Sequence, residues 1–252
     1  MLFHKVVGKG PPMVILHGLF GSLDNWMGIA RSLGHHHTVY LVDHRNHGNS
    51  FHHSLFNYPA MSRDLEHWIE AQKITEFNLL GHSMGGKVAM HFAQNNSDAV
   101  RKLLVIDIGP KAYPVSHEQI LKGLTEIDPQ KLENRQQADI QLSSYVPDTG
   151  VRQFLLKNLK RNGTNFQWKL NVEVIRDNIE QVGKALPTSP VVSTPTLFLR
   201  GGQSPYISDN DIPGILEQFP QATVETMEQA GHWLHSEDPT GFLEIIREFL
   251  AA

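Results

Sequence analysis

The chain alternates short, continuous apolar runs with longer amphipathic stretches. MVILHG (13–18), TVYLVD (38–43), FNLLGH (77–82), LLVIDIG (103–109) and TLFLRG (196–201) carry apolar side chains at successive positions instead of at every second one. Successive residues of a strand face opposite sides, so these runs predict strands buried on both faces, as in a parallel sheet covered by helices. Segments 24–33, 59–72 and 84–95 predict such helices. The second starts at Pro59 and places Met61, Leu65, Trp68 and Ile69 on one face. A last strand is expected at 223–228. This alternation predicts an open α/β sheet with right-handed crossovers.

The alternation stops between 111 and 190. That segment is rich in Gln, Lys, Asn and Glu, predicts helices over 116–126, 129–143 and 150–160, and offers no convincing buried strand. LPTSPVVSTP, with three prolines, then leads back to the strand at 196. The expected organisation is a core formed by 1–110 and 191–252, interrupted by a mainly helical insertion at 111–190.

Composition narrows the classes. Hydrophobic residues make up 40% and charged residues 19% of 252 positions, an ordinary balance for a globular protein. A net charge of −4 gives no support to a nucleic-acid or anionic-membrane partner. Without cysteine there is no disulfide, thiolate metal site or cysteine nucleophile. The start, MLFHKVVGKGPP, lacks a signal-peptide core, and no apolar run approaches the ~18 residues of a membrane span, so a cytoplasmic protein is expected. Among fifteen histidines, His35, His36 and His37 are consecutive. Neighbouring side chains of an extended segment diverge, so a solvated loop is expected there in preference to a metal site.

LLGHSMGGKV (79–88) raises two kinds of active site. Gly81-x-x-x-x-Gly86-Lys87 is the frame of a phosphate-cradling P-loop, and Gly81-His82-Ser83-Met84-Gly85 is the frame of a nucleophile elbow. Asp43 and Asp107 each end an apolar run, as the partner aspartate of a P-loop would. Position 88, however, is Val where the magnesium-binding Ser or Thr belongs, and His-Ser-Met is bulky where phosphates need bare backbone. The elbow makes further demands, and they are met. An oxyanion hole needs the N–H of Met84 and a second N–H from the loop after an earlier strand, for which LHGLFGSLDNW (16–26) offers Leu19. A general base should follow near the C-terminus, and AGHWLHSEDP (230–239) supplies His232.

HGLFGSLDNW, VDHRNHGNS, NYPAMSRDL, GHSMGGKVAM, VIDIGP and GGQSPYIS together give the chain a specific likeness. It resembles the α/β-hydrolase superfamily over essentially its whole length, and within it the bacterial YbfF-type esterases. The resemblance implies a mostly parallel, eight-stranded sheet with helices on both faces and a helical cap inserted after the strand at 103–109. It also implies carboxylic ester hydrolysis, with acyl-CoA thioesters as further substrates. Asp43, Arg45 and Ser50 are expected to build the loop beside the elbow.

The third catalytic group is less evident. Most relatives in this superfamily place an acid just past the strand at 196–201, where this chain has Ser204. Asp209 and Asp211 lie further on, where they could serve as helix caps. Asp107 ends the run LLVID, where a buried carboxylate needs a strong partner; a histidine from the last turn is suitable, and a plain turn-former bonded to backbone amides is the alternative. The YbfF-type enzymes resemble this chain in placing the acid at that strand end.

The expected protein is a serine hydrolase with Ser83 as nucleophile, His232 as base, Asp107 as acid and the Leu19 and Met84 amides as oxyanion donors. No metal or organic cofactor is expected. The partner is a small ester or thioester, and the chain is expected to be a monomer or weak homo-oligomer. Apolar residues of the insertion, such as Phe154 and Trp168, are expected to set acyl-chain preference. A lyase or carbon–carbon hydrolase of the same fold would carry its acid after 196–201. A non-catalytic binding protein would not need the Ser/His/Asp set.

Overall fold

The computed structural model describes residues 1–252. Five strands come first: β1 (His4–Val7), β2 (Pro12–Leu16), β3 (Thr38–Val42), β4 (Phe77–His82) and β5 (Val100–Ile106). Helices α1 (Met27–Leu33), α2 (Tyr58–Gln72) and α3 (Met84–Asn95) connect them. The inserted segment holds α4 (Glu118–Glu126), α5 (Arg135–Ser143), α6 (Thr149–Leu156), the hairpin β6 (Leu159–Asn162) and β7 (Asn165–Trp168), then α7 (Val172–Asp177) and α8 (Ile179–Gly183). The core resumes with β8 (Thr196–Gly201), α9 (Ile212–Gln218), β9 (Ala222–Met227), α10 (Leu234–Glu237) and α11 (Pro239–Ala251).

The main sheet runs β1-β3-β2-β4-β5-β8-β9, with only the β1–β3 pair antiparallel. Its continuous apolar runs feed two cores. On β2, Val14 and Leu16 enter the larger cluster while Met13 and Ile15 enter the smaller; on β5, Leu103 and Val105 part from Leu104 and Ile106 in the same way. The period of two sends alternate side chains to opposite faces, so both faces need apolar residues. α2 and α3 cover one face, and the buried Leu121, Leu142 and Leu155 of the insertion join that same cluster. α1 and α11 cover the other.

Four expectations need correction. The sheet has seven strands and not eight, because the residues preceding β1 form no strand. The insertion also contains a hairpin where no strand was expected, and the helix expected over 150–160 ends at Leu156. β6 and β7 are four residues each and bury only Leu159 and Phe166, so apolar periodicity is nearly silent there. The usable signal was Asn162-Gly163: Gly163 has φ 62° and opens a two-residue turn. The helix expected over 129–143 is likewise shorter, beginning at Arg135 after a single 3₁₀ turn.

Candidate active site

β4 is buried along its whole length and delivers the chain to Ser83, which has φ 53° and ψ −123° before α3 begins at Met84. A non-glycine residue in such a conformation costs on the order of 1–3 kcal/mol and needs its surroundings to hold it. They do so through backbone bonds: Ser83 N–H donates to the Ile106 carbonyl (3.0 Å), and the Ser83 carbonyl accepts from Gly86 (2.8 Å) and Lys87 (3.1 Å). The flanking glycines permit the close approach. A Cβ on Gly81 would lie 2.2 Å from the Gly85 oxygen, and one on Gly85 would lie 2.5 Å from the His17 oxygen.

Lys87, which a P-loop would aim at phosphate, is fully buried among protein groups. Its ammonium donates to the Lys111 carbonyl (2.7 Å) and the Lys184 carbonyl and lies 4.9 Å from the Tyr113 ring centre. Burial lowers its pKa to about 8. It ties both ends of the insertion to the elbow helix. Asp43 is occupied as well, accepting from the Leu23 and Asn49 amides (2.8 and 2.9 Å), while burial raises its pKa. Arg45 chelates Asp64 (2.5 and 2.7 Å), and the Ser50 hydroxyl donates to the Asp43 carbonyl (2.6 Å). These three side chains brace the loop that follows β3, tying it to Leu23, to α2 and to itself.

Asp107 stands just past β5 with φ 51° and no solvent exposure. Its Oδ1 accepts from Gly201 N–H (3.0 Å), and its Oδ2 accepts from the Ser204 hydroxyl and from His232 Nδ1–H (2.6 Å). An ionised carboxylate only accepts, so the imidazole proton sits on Nδ1 and Nε2 keeps its lone pair. The His232 ring is held flat: Tyr206 stacks on it at 4.2 Å and 20°. His82, kept neutral by burial well below the usual histidine range, donates from Nε2 to the His232 carbonyl (2.8 Å). Asp209 and Asp211 are engaged elsewhere. Asp209 pairs with Arg200 (2.6 Å) and is 85% exposed; Asp211 pairs with Lys111 (2.7 Å) and accepts from Ser208 N–H (2.8 Å).

Leu19 lies in the turn closed by Gly21 N–H donating to the Gly18 carbonyl (3.0 Å). A Cβ on Gly18 would lie 3.2 Å from Ser83 Cβ, so this turn runs directly beside the elbow. The next amide, Phe20 N–H, donates to His47 Nε2 (3.2 Å), whereas neither Leu19 N–H nor Met84 N–H has a protein acceptor. Leu19, Ser83, Met84 and His232 all line one cavity of about 550 Å³ beneath the insertion. No hydrogen bond joins Ser83 Oγ to His232 in this conformation, a link that often tightens only once substrate is bound. Phe154 lines the cavity, against Trp233 (5.7 Å), but Trp168 does not and packs against the core instead. His35 and His36 are exposed in the turn between α1 and β3, and no three His, Asp or Glu side chains converge as a metal-ligand set.

The family model described as alpha/beta hydrolase fold matches residues 11–146. The chain belongs to the α/β-hydrolase family. It is 40% identical over 240 residues to esterase YbfF of Escherichia coli (strain K12), covering 95% of this chain and 92% of that one. It is 39% identical over 249 residues to the sn-1-specific diacylglycerol lipase ABHD11 of Mus musculus, covering 96% and 81%. Among solved structures, a marine microorganism esterase matches with a TM-score of 0.96 at 42% identity over 98% of both chains. The hydrolase fold expected from the sequence motifs is therefore the fold found. No helix is long and apolar enough to cross a membrane.

Sequence reasoning missed Tyr206, His82 and the role of Ser204. Ser204 left a trace, since it fills the place where relatives carry an acid. Tyr206 and His82 left none, because stacking and backbone bonding to His232 depend on residues far apart in the chain.

Proposed function

We propose that the protein is a serine hydrolase of carboxylic esters, working through an acyl-enzyme on Ser83. The observation that carries this reading is the 2.6 Å bond from His232 Nδ1–H to the buried Asp107, in the cavity that also holds the Ser83 elbow. His232 Nε2 takes the Ser83 proton as Oγ attacks the acyl carbon. The oxyanion is received by the Leu19 and Met84 amides, and its collapse expels the alcohol, which leaves with the proton from His232. Water then attacks the acyl-enzyme as His232 removes its proton, and collapse breaks the acyl–Oγ bond while His232 returns that proton to Ser83 Oγ, releasing the acid. The same steps serve a thiol leaving group, so acyl-CoA thioesters belong in the substrate series. The insertion acts as a cap over the acyl pocket, contributing Phe154 to its wall. An exposed Asp209 paired with Arg200 favours this reading over a lyase or carbon–carbon hydrolase whose acid follows β8.

Ser83→Ala tests the reading. The variant should fold and lose ~10³-fold or more in kcat, and a fluorophosphonate should label native protein at Ser83 alone. A folded Ser83→Ala variant with near-native esterase activity would overturn it.

A further inference from the structure

Phe20 is the strained residue of the turn that carries Leu19. It has φ 59° at the third position of the Gly18–Gly21 turn, where positive φ ordinarily calls for Gly or Asn. Its side chain is buried at 3% exposure, and both of its backbone polar groups are captured by buried side chains. On one side, His47 Nε2 accepts the Phe20 N–H (3.2 Å). Burial lowers the His47 pKa to about 3, and its Nδ1–H donates to the Arg45 carbonyl (3.0 Å), so Nε2 is fixed as an acceptor. On the other side, Asn158 Nδ2 donates to the Phe20 carbonyl (2.7 Å). Asn158 is 2% exposed and comes from the insertion, between α6 and β6. Its Nδ2 also donates to the Leu155 carbonyl (3.1 Å), and its own backbone is held by Leu155 (3.0 Å) and Lys169 (2.8 Å). Two carbonyls on one atom require the amide nitrogen there and forbid the flipped side chain.

We propose that Asn158 is a positioning residue for the oxyanion hole, supplied by the cap and acting through Phe20. The inference rests on the serine-hydrolase reading above. The peptide between Leu19 and Phe20 is fixed by His47, and the peptide between Phe20 and Gly21 by Asn158. With both planes held, the turn keeps its positive φ and leaves the Leu19 N–H free toward the cavity. Without Asn158, the Phe20 carbonyl loses its partner inside the protein and the strained residue can relax. The Leu19 donor then moves, while Ser83, His232 and Asp107 keep their own bonds. The cap would thus contribute to the chemical step and not only to acyl recognition.

The test uses Asn158→Leu, similar in size but without a donor, and Asn158→Ser, too short to reach Phe20. Both are assayed on an acetate ester, whose acyl group is too small to fill the capped pocket, and on an octanoate ester. Complete loss of an oxyanion donor costs about 10²–10³-fold, so a displaced one should cost about 10–100-fold in kcat. The expected result is that loss on both esters, with KM within about twofold and an unchanged pH midpoint for activity. The rate of fluorophosphonate labelling should fall in parallel, because phosphonylation uses the same hole. Unchanged kcat, or a loss confined to octanoate or to KM, in whichever variant melts like the parent would overturn the role. Failure of the parent protein itself to be labelled at Ser83 would instead remove the reading beneath it.

Discussion

Asp107→Asn separates the two candidate acids, and its effect can be worked from the site. Asp107 Oδ1 lies 3.0 Å from the Gly201 N–H, so an amide nitrogen placed there would meet another donor. The amide oxygen must therefore face Gly201, and the NH₂ group takes the position of Oδ2, 2.6 Å from His232 Nδ1. Ser204 can turn its hydroxyl to accept, but His232 can accept only by moving its proton from Nδ1 to Nε2. In that tautomer it cannot take a proton from Ser83. Such a change lowers kcat by about 10⁴-fold, or about 5 kcal/mol of transition-state stabilisation. The assay is hydrolysis of an acetate ester at the pH optimum, with circular dichroism and a thermal melt establishing that the variant is folded. Asp209→Asn is the companion, and its exposed carboxylate pairs only with Arg200, so kcat should stay within about twofold. A folded Asp107→Asn enzyme retaining a tenth of the parent kcat would refute the reasoning, and loss of activity in Asp209→Asn would move the acid beyond β8.

Phe154→Ala should shift preference toward longer acyl chains, because Phe154 lines the cavity, whereas Trp168→Ala should change all chain lengths alike; a flat chain-length profile for Phe154→Ala would mean that it only holds the cap together. Acid should destabilise the fold through its buried histidines: burial lowers His17 to about 4 and His47 and His235 to about 3. Between those values and about 6.5 the unfolded chain binds more protons, so stability falls as pH drops through that window, with a limiting slope of about 1.4 kcal/mol per pH unit for each histidine. Denaturant midpoints measured from pH 7 to pH 4 check this, and His235→Phe, which keeps a ring to stack on Trp26, should flatten the slope. An unchanged slope would show that His235 does not titrate as its burial requires.

The strands that carry the site were legible because each depends on its own residues. Val14 and Met13 must enter opposite cores, and that requirement is written as a continuous apolar run. The tight turn at Ser83 was legible for a similar reason: such a turn needs glycines at fixed offsets whatever lies elsewhere. The hairpin at 159–168 escaped because its strands are short and mostly exposed, so burial imposes almost no pattern.

Pairings between distant residues were decided by the tertiary structure. Asp107 ends a buried apolar run and Asp209 and Asp211 lie in a 3₁₀ turn, but none of these local settings names the partner of its carboxylate. Asp107 meets His232, 125 positions away, because the sheet sets β8 beside β5, with Leu199 opposite Ile106, and β9 beside β8. That order brings the ends of three strands to one edge, so the carboxylate past β5 faces the Gly201 amide and the histidine past β9. Asn158 reaches Phe20 across 138 positions for the same kind of reason, once the insertion has folded over the turn that follows β2. A residue's own burial and backbone preference leave marks in its neighbours along the chain. Its partner across the fold is set by strand order and by the path of the insertion, and these emerge only when the elements pack.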